Sequence, residues 1–113
     1  MASNRDHEEL VRRLALNDEK AIASILGAKA GADVSPALGP RTTALVRLAA
    51  LVAAPSASAS YQWAVGTAFA AGVDEEDIVG VLLTVAPIVG AARVEAAAPE
   101  VAAALGYDLG AVE

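Results

Sequence analysis

The chain has 113 residues, a net charge of −6, and a composition that is 56% hydrophobic, 19% charged and 4% aromatic. A chain of this length holds one hydrophobic core, so one domain over residues 1–113 is expected. The hydrophobic content excludes disorder, the absence of cysteine excludes a disulfide framework and a thiolate metal site, and the acidic balance excludes a nucleic-acid surface.

The first helix is expected over about Arg5–Ala15, within a dense run of mixed charge that includes Arg12, Arg13, Asp18, Glu19 and Lys20. Leu10, Val11 and Leu14 share one face by three- and four-residue spacing. His7 sits among these charges and reads as a solvated surface residue. Asn17 then reads as an N-cap, with Asp18 and Glu19 in the first turn of a second helix. That helix turns Ile22, Ile25 and Leu26 inward and ends at Gly27. Residues 28–40 read as a loop, and Pro40 suits the first turn of a third helix carrying Leu45, Leu48, Leu51 and Val52 as far as Pro55.

Ser56–Ser60 reads as a polar connection. A fourth helix follows with Tyr61, Trp63, Val65 and Phe69, capped by Gly72. Asp74, Glu75, Glu76 and Asp77 have the pattern of an N-cap and an acidic first turn, so capping explains them without a metal or a catalytic role. A fifth helix runs over Ile78–Val89, where Pro87 should kink it or loosen its last turn. A sixth begins near Gly90–Ala91 and should break or restart at Pro99, with Gly106 ending the helical part and the last seven residues forming a loose tail. Gly80 and Gly90 match no phosphate-cradling motif and read as places where helices approach closely. About a quarter of the residues are alanine, and no period-two alternation persists, so the chain is expected to be all-α.

Thr42–Val73 contains Arg47 as its single charge, and Ile78–Ala92 contains none. Helices that are apolar all round must be buried on all sides. The stretch Ile78–Ala92 is shorter than the roughly 18–20 apolar residues that cross a bilayer, and Thr84, Pro87 and glycines interrupt it. The chain opens on charges and has no export or anchoring signal, so a cytoplasmic location is expected. Contact with copies of itself is the better way to cover these helices, and a homo-oligomer is expected, with no membrane and no nucleic acid as partner.

Leu38-Gly39-Pro40-Arg41-Thr42 leads into Leu45–Leu51. Trp63 and Ala68-Phe69-Ala70-Ala71-Gly72-Val73 follow, then Glu76-Asp77-Ile78-Val79-Gly80-Val81-Leu82-Leu83 and Gly90. In order and spacing this stretch, Leu38–Val94, resembles the carboxymuconolactone decarboxylase family, which includes the alkyl hydroperoxide reductase D-like proteins. The resemblance implies an orthogonal helical bundle of about six helices that assembles as a trimer or hexamer. Redox-active members of that family carry Cys-x-x-Cys at the start of the fourth helix and a histidine four residues later. Those positions fall here at Ala57, Ser60 and Ala64. A family glutamate near the start of the third helix falls at Ala44 or Leu45, and a frequent histidine of the Leu-rich helix falls at Thr84. A thiolate is the nucleophile that peroxide or disulfide chemistry requires, so thiol peroxidase activity is not expected and no catalytic residue is assigned.

Arg47, Tyr61, Gln62, Trp63 and Thr84 remain as candidate pocket residues. Arg47 reads as a structural ion pair, as an anion clamp on a pocket floor, or as a snorkelling side chain. Tyr61, Gln62 and Trp63 read as packing residues or as the lining of a pocket. No metal or other cofactor is expected. The function expected from the sequence is a carboxymuconolactone decarboxylase-like oligomer of unassigned reaction. The alternative is a non-enzymatic oligomeric module that binds a small apolar or anionic ligand or a partner protein.

Overall fold

The computed structural model of the chain describes residues 4–27 and 37–111. They form α1 (Asn4–Ala15), α2 (Glu19–Leu26), α3 (Gly39–Ala53), α4 (Ser58–Ala70), α5 (Glu75–Val89), α6 (Ala91–Leu105) and a 3-10 turn at Leu109–Ala111. No strand occurs among the described residues, and the protein is all-α. Most of the expected loop at 28–40, residues 28–36, lies outside the described residues. The chain divides into two compact units, Met1–Asp33 and Val34–Glu113.

In the first unit the cap of α2 is Asp18, not Asn17. The Asp18 carboxylate accepts the N–H groups of Lys20 at 2.9 Å and Ala21 at 3.1 Å. Asn17 instead adopts the left-handed region at φ 60°, which asparagine tolerates better than most residues, and so ends α1. The expected inward face is also corrected. Ala21 is the buried residue, whereas Leu10 (44%), Val11 (64%), Ile25 (48%) and Leu26 (76%) are exposed. Two helices of this length are too small to enclose large side chains between them.

In the second unit, the core takes Ala44, Leu48 and Val52 from α3, and Tyr61, Ala64, Val65 and Ala68 from α4. Val73, Ile78, Ala97 and Val101 complete it. The α3 set falls at four-residue steps, which places it on one helix face. Each large aliphatic residue among them contributes roughly 1.5–3 kcal/mol by burial.

Polar contacts fix the order of the helix ends. Arg41, near the start of α3, pairs with Asp77 in the first turn of α5 at 2.8 Å. Tyr61, near the start of α4, and Arg93, near the start of α6, both reach the last carbonyls of α3. Hence α3 and α5 begin at one end of the unit, and α4 and α6 begin at the other.

The helix stops follow local chemistry. After α4, Gly72 takes φ +87° one residue beyond the capping Ala71, and the Val73 and Gly72 N–H groups return to Ala68 at 3.0 Å and Phe69 at 3.1 Å. Gly106 ends α6 in the left-handed region, as expected. Pro87 lies within α5, which continues to Val89. Pro99 does not break α6, which runs unbroken to Leu105. A proline removes one amide donor, and the neighbouring turns hold the helix together. The expected loose tail is corrected as well: Tyr107 donates its backbone N–H to Ala102 at 2.9 Å and its hydroxyl to the Glu75 carboxylate. Gly80 is not a point of close approach, because a Cβ there would meet nothing within 4 Å. Gly90 likewise has open space, and its φ of +88° explains the glycine instead.

Candidate functional site

The end of the second unit where α4 begins carries the positions at which the sequence placed the family's redox groups. Pro55 stops α3 and leaves its last carbonyls without intrahelical partners. Three side chains supply them. Tyr61 Oη donates to the Leu51 carbonyl at 2.9 Å. Ser56 Oγ lies 3.0 Å from both the Leu51 and the Ala54 carbonyls. Arg93 donates through Nε to Val52 at 3.4 Å and through Nη2 to Ala54 at 2.9 Å. The guanidinium thus sits at the negative end of the α3 dipole.

Burial pushes the Tyr61 hydroxyl above its ordinary pKa; the nearby Arg93 charge opposes this and Glu100 adds to it. Near neutral pH Tyr61 is therefore a neutral donor to Leu51, not a base. Beside it, Ala57 caps α4 with no side-chain hydrogen bond. Ser60 is half-buried and Ala64 is fully enclosed in the core. None of these groups is a thiol, and a serine hydroxyl without an adjacent base stays protonated. Ala44 is also a core residue, on α3.

The five candidate pocket residues occupy different surroundings. Tyr61 points into the core, whereas Gln62 is exposed and Trp63 is 41% exposed. Adjacent positions on a helix differ by about 100°, so Tyr61 and Trp63 stand on opposite sides of α4 although two residues apart in sequence. Trp63 shares its outer side with Gly66 and the exposed Phe69. Thr84 is exposed on α5, and Arg47 is half-buried on α3. Sequence reasoning missed Arg93 and Arg41. Arg93 carries no motif, and its α3 partners lie 39 and 41 residues away. Arg41 was legible only as the residue after Gly39-Pro40.

At the opposite end, an open concavity of about 800 Å³ lies along α5, lined by the run Asp74–Asp77 with Val79, Gly80, Leu83 and Tyr107. Asp74 and Asp77 form a reciprocal capping box: the Asp77 N–H donates to Asp74 Oδ1 at 2.8 Å, and the Asp74 N–H to Asp77 Oδ2 at 3.1 Å. The Asp74 N–H and, after it, the Arg41 guanidinium hold the Asp77 carboxyl below its ordinary pKa. Capping thus accounts for this pair, as the sequence suggested. Among the described residues no group of three or more His, Cys, Asp or Glu could hold a metal ion, and no helix is long and apolar enough to cross a membrane.

A carboxymuconolactone decarboxylase family model matches residues 20–103, which takes in α2 through most of α6. The chain belongs to the carboxymuconolactone decarboxylase family. No curated protein and no solved structure is a significant match. The family match extends beyond the stretch Leu38–Val94 on which the resemblance rested. Within this carboxymuconolactone decarboxylase-family chain, the start of α4 offers a hydroxyl and two methyl groups at Ser60, Ala57 and Ala64, and no cysteine occurs anywhere in the sequence.

Proposed function

We propose that this carboxymuconolactone decarboxylase-family protein acts in the cytoplasm as a homo-oligomer, a trimer or hexamer, without thiol peroxidase activity. The complete absence of cysteine carries the second half of this reading. Attack on a peroxide needs a thiolate, and the hydroxyl of Ser60 cannot replace it at neutral pH. The apolar surface of the single chain supports the first half: Val46, Trp63, Phe69, Leu83 and Ile88 are between 41% and 87% exposed. Contact with other copies would cover these open side chains of α3, α4 and α5.

The test has two readouts. Peroxide consumption with a dithiol reductant should not exceed the buffer rate; turnover above it would end the claim, and turnover that survives Ser60→Ala would show that the redox positions do not map to Ala57, Ser60 and Ala64. Light scattering in dilute buffer should give a mass several times the 11.3 kDa of one chain. A compact species of that single-chain mass would end the claim of assembly.

A second reading, a non-enzymatic module that binds a small apolar or anionic ligand or a partner protein, is favoured by the exposure of Trp63 beside Gln62. An indole open on a surface suits contact with a ligand or partner better than it suits chemistry in a sequestered pocket. Quenching or a spectral shift of the fluorescence of Trp63, the single tryptophan of the chain, would report such an occupant.

A further inference from the structure

We propose that α5 packs antiparallel against α5 of a second copy of this chain, about a two-fold axis between Leu83 and Thr84. This rests on the homo-oligomeric reading above and names the face that meets its own copy.

Every residue of this face belongs to the second unit. Leu83 (67% exposed), Thr84, Pro87 and Ile88 (87% exposed) point out of the four-helix unit. At about 100° per residue, Gly80 and Pro87 fall on one line along α5, and Leu83 and Thr84 lie on either side of it. No residue from Ile78 to Ala92 is charged. The line offers a notch and a knob: a Cβ on Gly80 would meet nothing within 4 Å, and Pro87 is exposed two turns later. Pro87 also lacks an N–H, which leaves the Leu83 carbonyl without its usual donor, beside the exposed hydroxyl of Thr84.

Three features select a second copy of the same face as the occupant. The first is shape. An axis between Leu83 and Thr84 sets Gly80 of each copy opposite Pro87 of the other, so both notches fill at once. It also sets Ile78 opposite Val89, so the overlap coincides with the uncharged part of α5. The second is charge. The two Asp77 carboxylates then stay about 20 Å apart at 1.5 Å per residue, beyond a screening length of about 8–10 Å. A parallel pair would crowd both acidic runs together. The third is the start of α6, whose N-cap Gly90 provides no side-chain hydrogen bond. Glu76 of one copy comes level with Ala91 of the other, so a carboxylate meets the positive end of the α6 dipole. Helix α1 has no such match, because Arg5, Asp6, Glu8, Glu9, Arg12 and Arg13 would bring charge against an uncharged face.

A two-fold contact cannot occur inside a cyclic trimer. The contact therefore selects the hexamer, in which α5 pairs join two trimers.

The chain has no cysteine, so single cysteines report this contact cleanly in the full-length protein. Under mild oxidation Leu83→Cys should cross-link to itself at twice the 11.3 kDa of one chain. Glu76→Cys and Ala91→Cys should cross-link when coexpressed and not when each is alone. Gly80→Leu fills the notch with a better helix former. Its helix content by circular dichroism should match the wild type, and its mass by light scattering should fall from six chains to three. Cross-linking of Glu76→Cys to itself makes the pair parallel and overturns the proposal. Absence of every cross-link overturns it too, whether another surface or residues 1–33 of the same chain cover the face. A folded Gly80→Leu of unchanged mass, or a wild type of three chains, overturns it and leaves the homo-oligomer standing. A wild type that is a single chain removes both readings together.

Discussion

Arg93 Nη2 donates to the carbonyl of Ala54 at 2.9 Å, and this one bond ties the start of α6 to the chain just beyond α3, 39 residues earlier. The geometry makes the arginine a C-terminal cap supplied by another helix. Arg93→Met keeps the apolar stem and removes the donors and the charge. We expect a loss of about 1–2 kcal/mol, from the short charged hydrogen bond to Ala54, the longer one to Val52 and the dipole interaction. Arg93→Lys should recover part of this, because an ammonium keeps the charge but not the forked donors. Urea denaturation of the three proteins measures the series.

Tyr61 makes the companion contact. Tyr61→Phe keeps the buried ring and removes one hydrogen bond, and Ser56 Oγ remains to serve the Leu51 carbonyl at 3.0 Å. The expected loss is about 1 kcal/mol. The pH profile is more specific. Burial raises the folded pKa of Tyr61 above its ordinary 10.0. Its stabilising contribution is therefore complete below that ordinary value and is lost as pH rises through the raised folded value, because only the unfolded chain ionises freely. Wild-type stability should fall more steeply than that of Tyr61→Phe in this alkaline window. Parallel melting curves above about pH 9–10, around the ordinary tyrosine value, check the difference, and identical slopes would contradict it.

Asp77 has the opposite sign. The Asp74 N–H and Arg41 lower its folded pKa, so its contribution is present above the ordinary carboxylate value and is lost as pH falls through the lowered folded value. Asp77→Asn should reduce stability at neutral pH and flatten the acid limb of the stability curve, which melting temperatures between neutral and strongly acidic pH would show. Arg41→Gln should reproduce part of that flattening, since Arg41 Nη2 lies 2.8 Å from Asp77 Oδ2.

Thr43 offers a change in the favourable direction. It is 8% exposed, and its Oγ1 is buried without a hydrogen-bond partner. Thr43→Val replaces that hydroxyl with a methyl of similar shape at nearly equal helix propensity. We expect stability to rise by about 1 kcal/mol, the cost of leaving a buried hydroxyl unmade. A lower melting temperature would indicate that the hydroxyl has a partner in solution.

The helices of the second unit were legible in the sequence because their stops are local. Pro40, Pro55, Gly72, the pair Asp74 and Asp77, and Gly106 each act within one turn. The prolines inside helices were less legible. Pro99 has the chemistry of a breaker, yet packing around Ala97 and Val101 keeps α6 continuous. Burial in the first unit could not be read from spacing either. The stripe of Leu10, Val11 and Leu14 is a true helical face, but spacing says which residues share a side and not whether anything covers it. At the candidate site, the residue types at Ala57, Ser60 and Ala64 could be read directly. The α3 cap could not, because Arg93 meets Val52 and Ala54 only after the chain has turned back on itself, and such long-range pairing leaves no local pattern.

The first turn of α5 receives Arg41 on Asp77 and Tyr107 on Glu75, contacts made by residues at the two extremes of the four-helix unit. Entry and exit of that unit therefore converge within a single helical turn. A circular permutant of the four-helix unit that joins them through a short glycine-serine linker, with new termini opened between α5 and α6, would keep α3 to α6 intact and need not span the bundle.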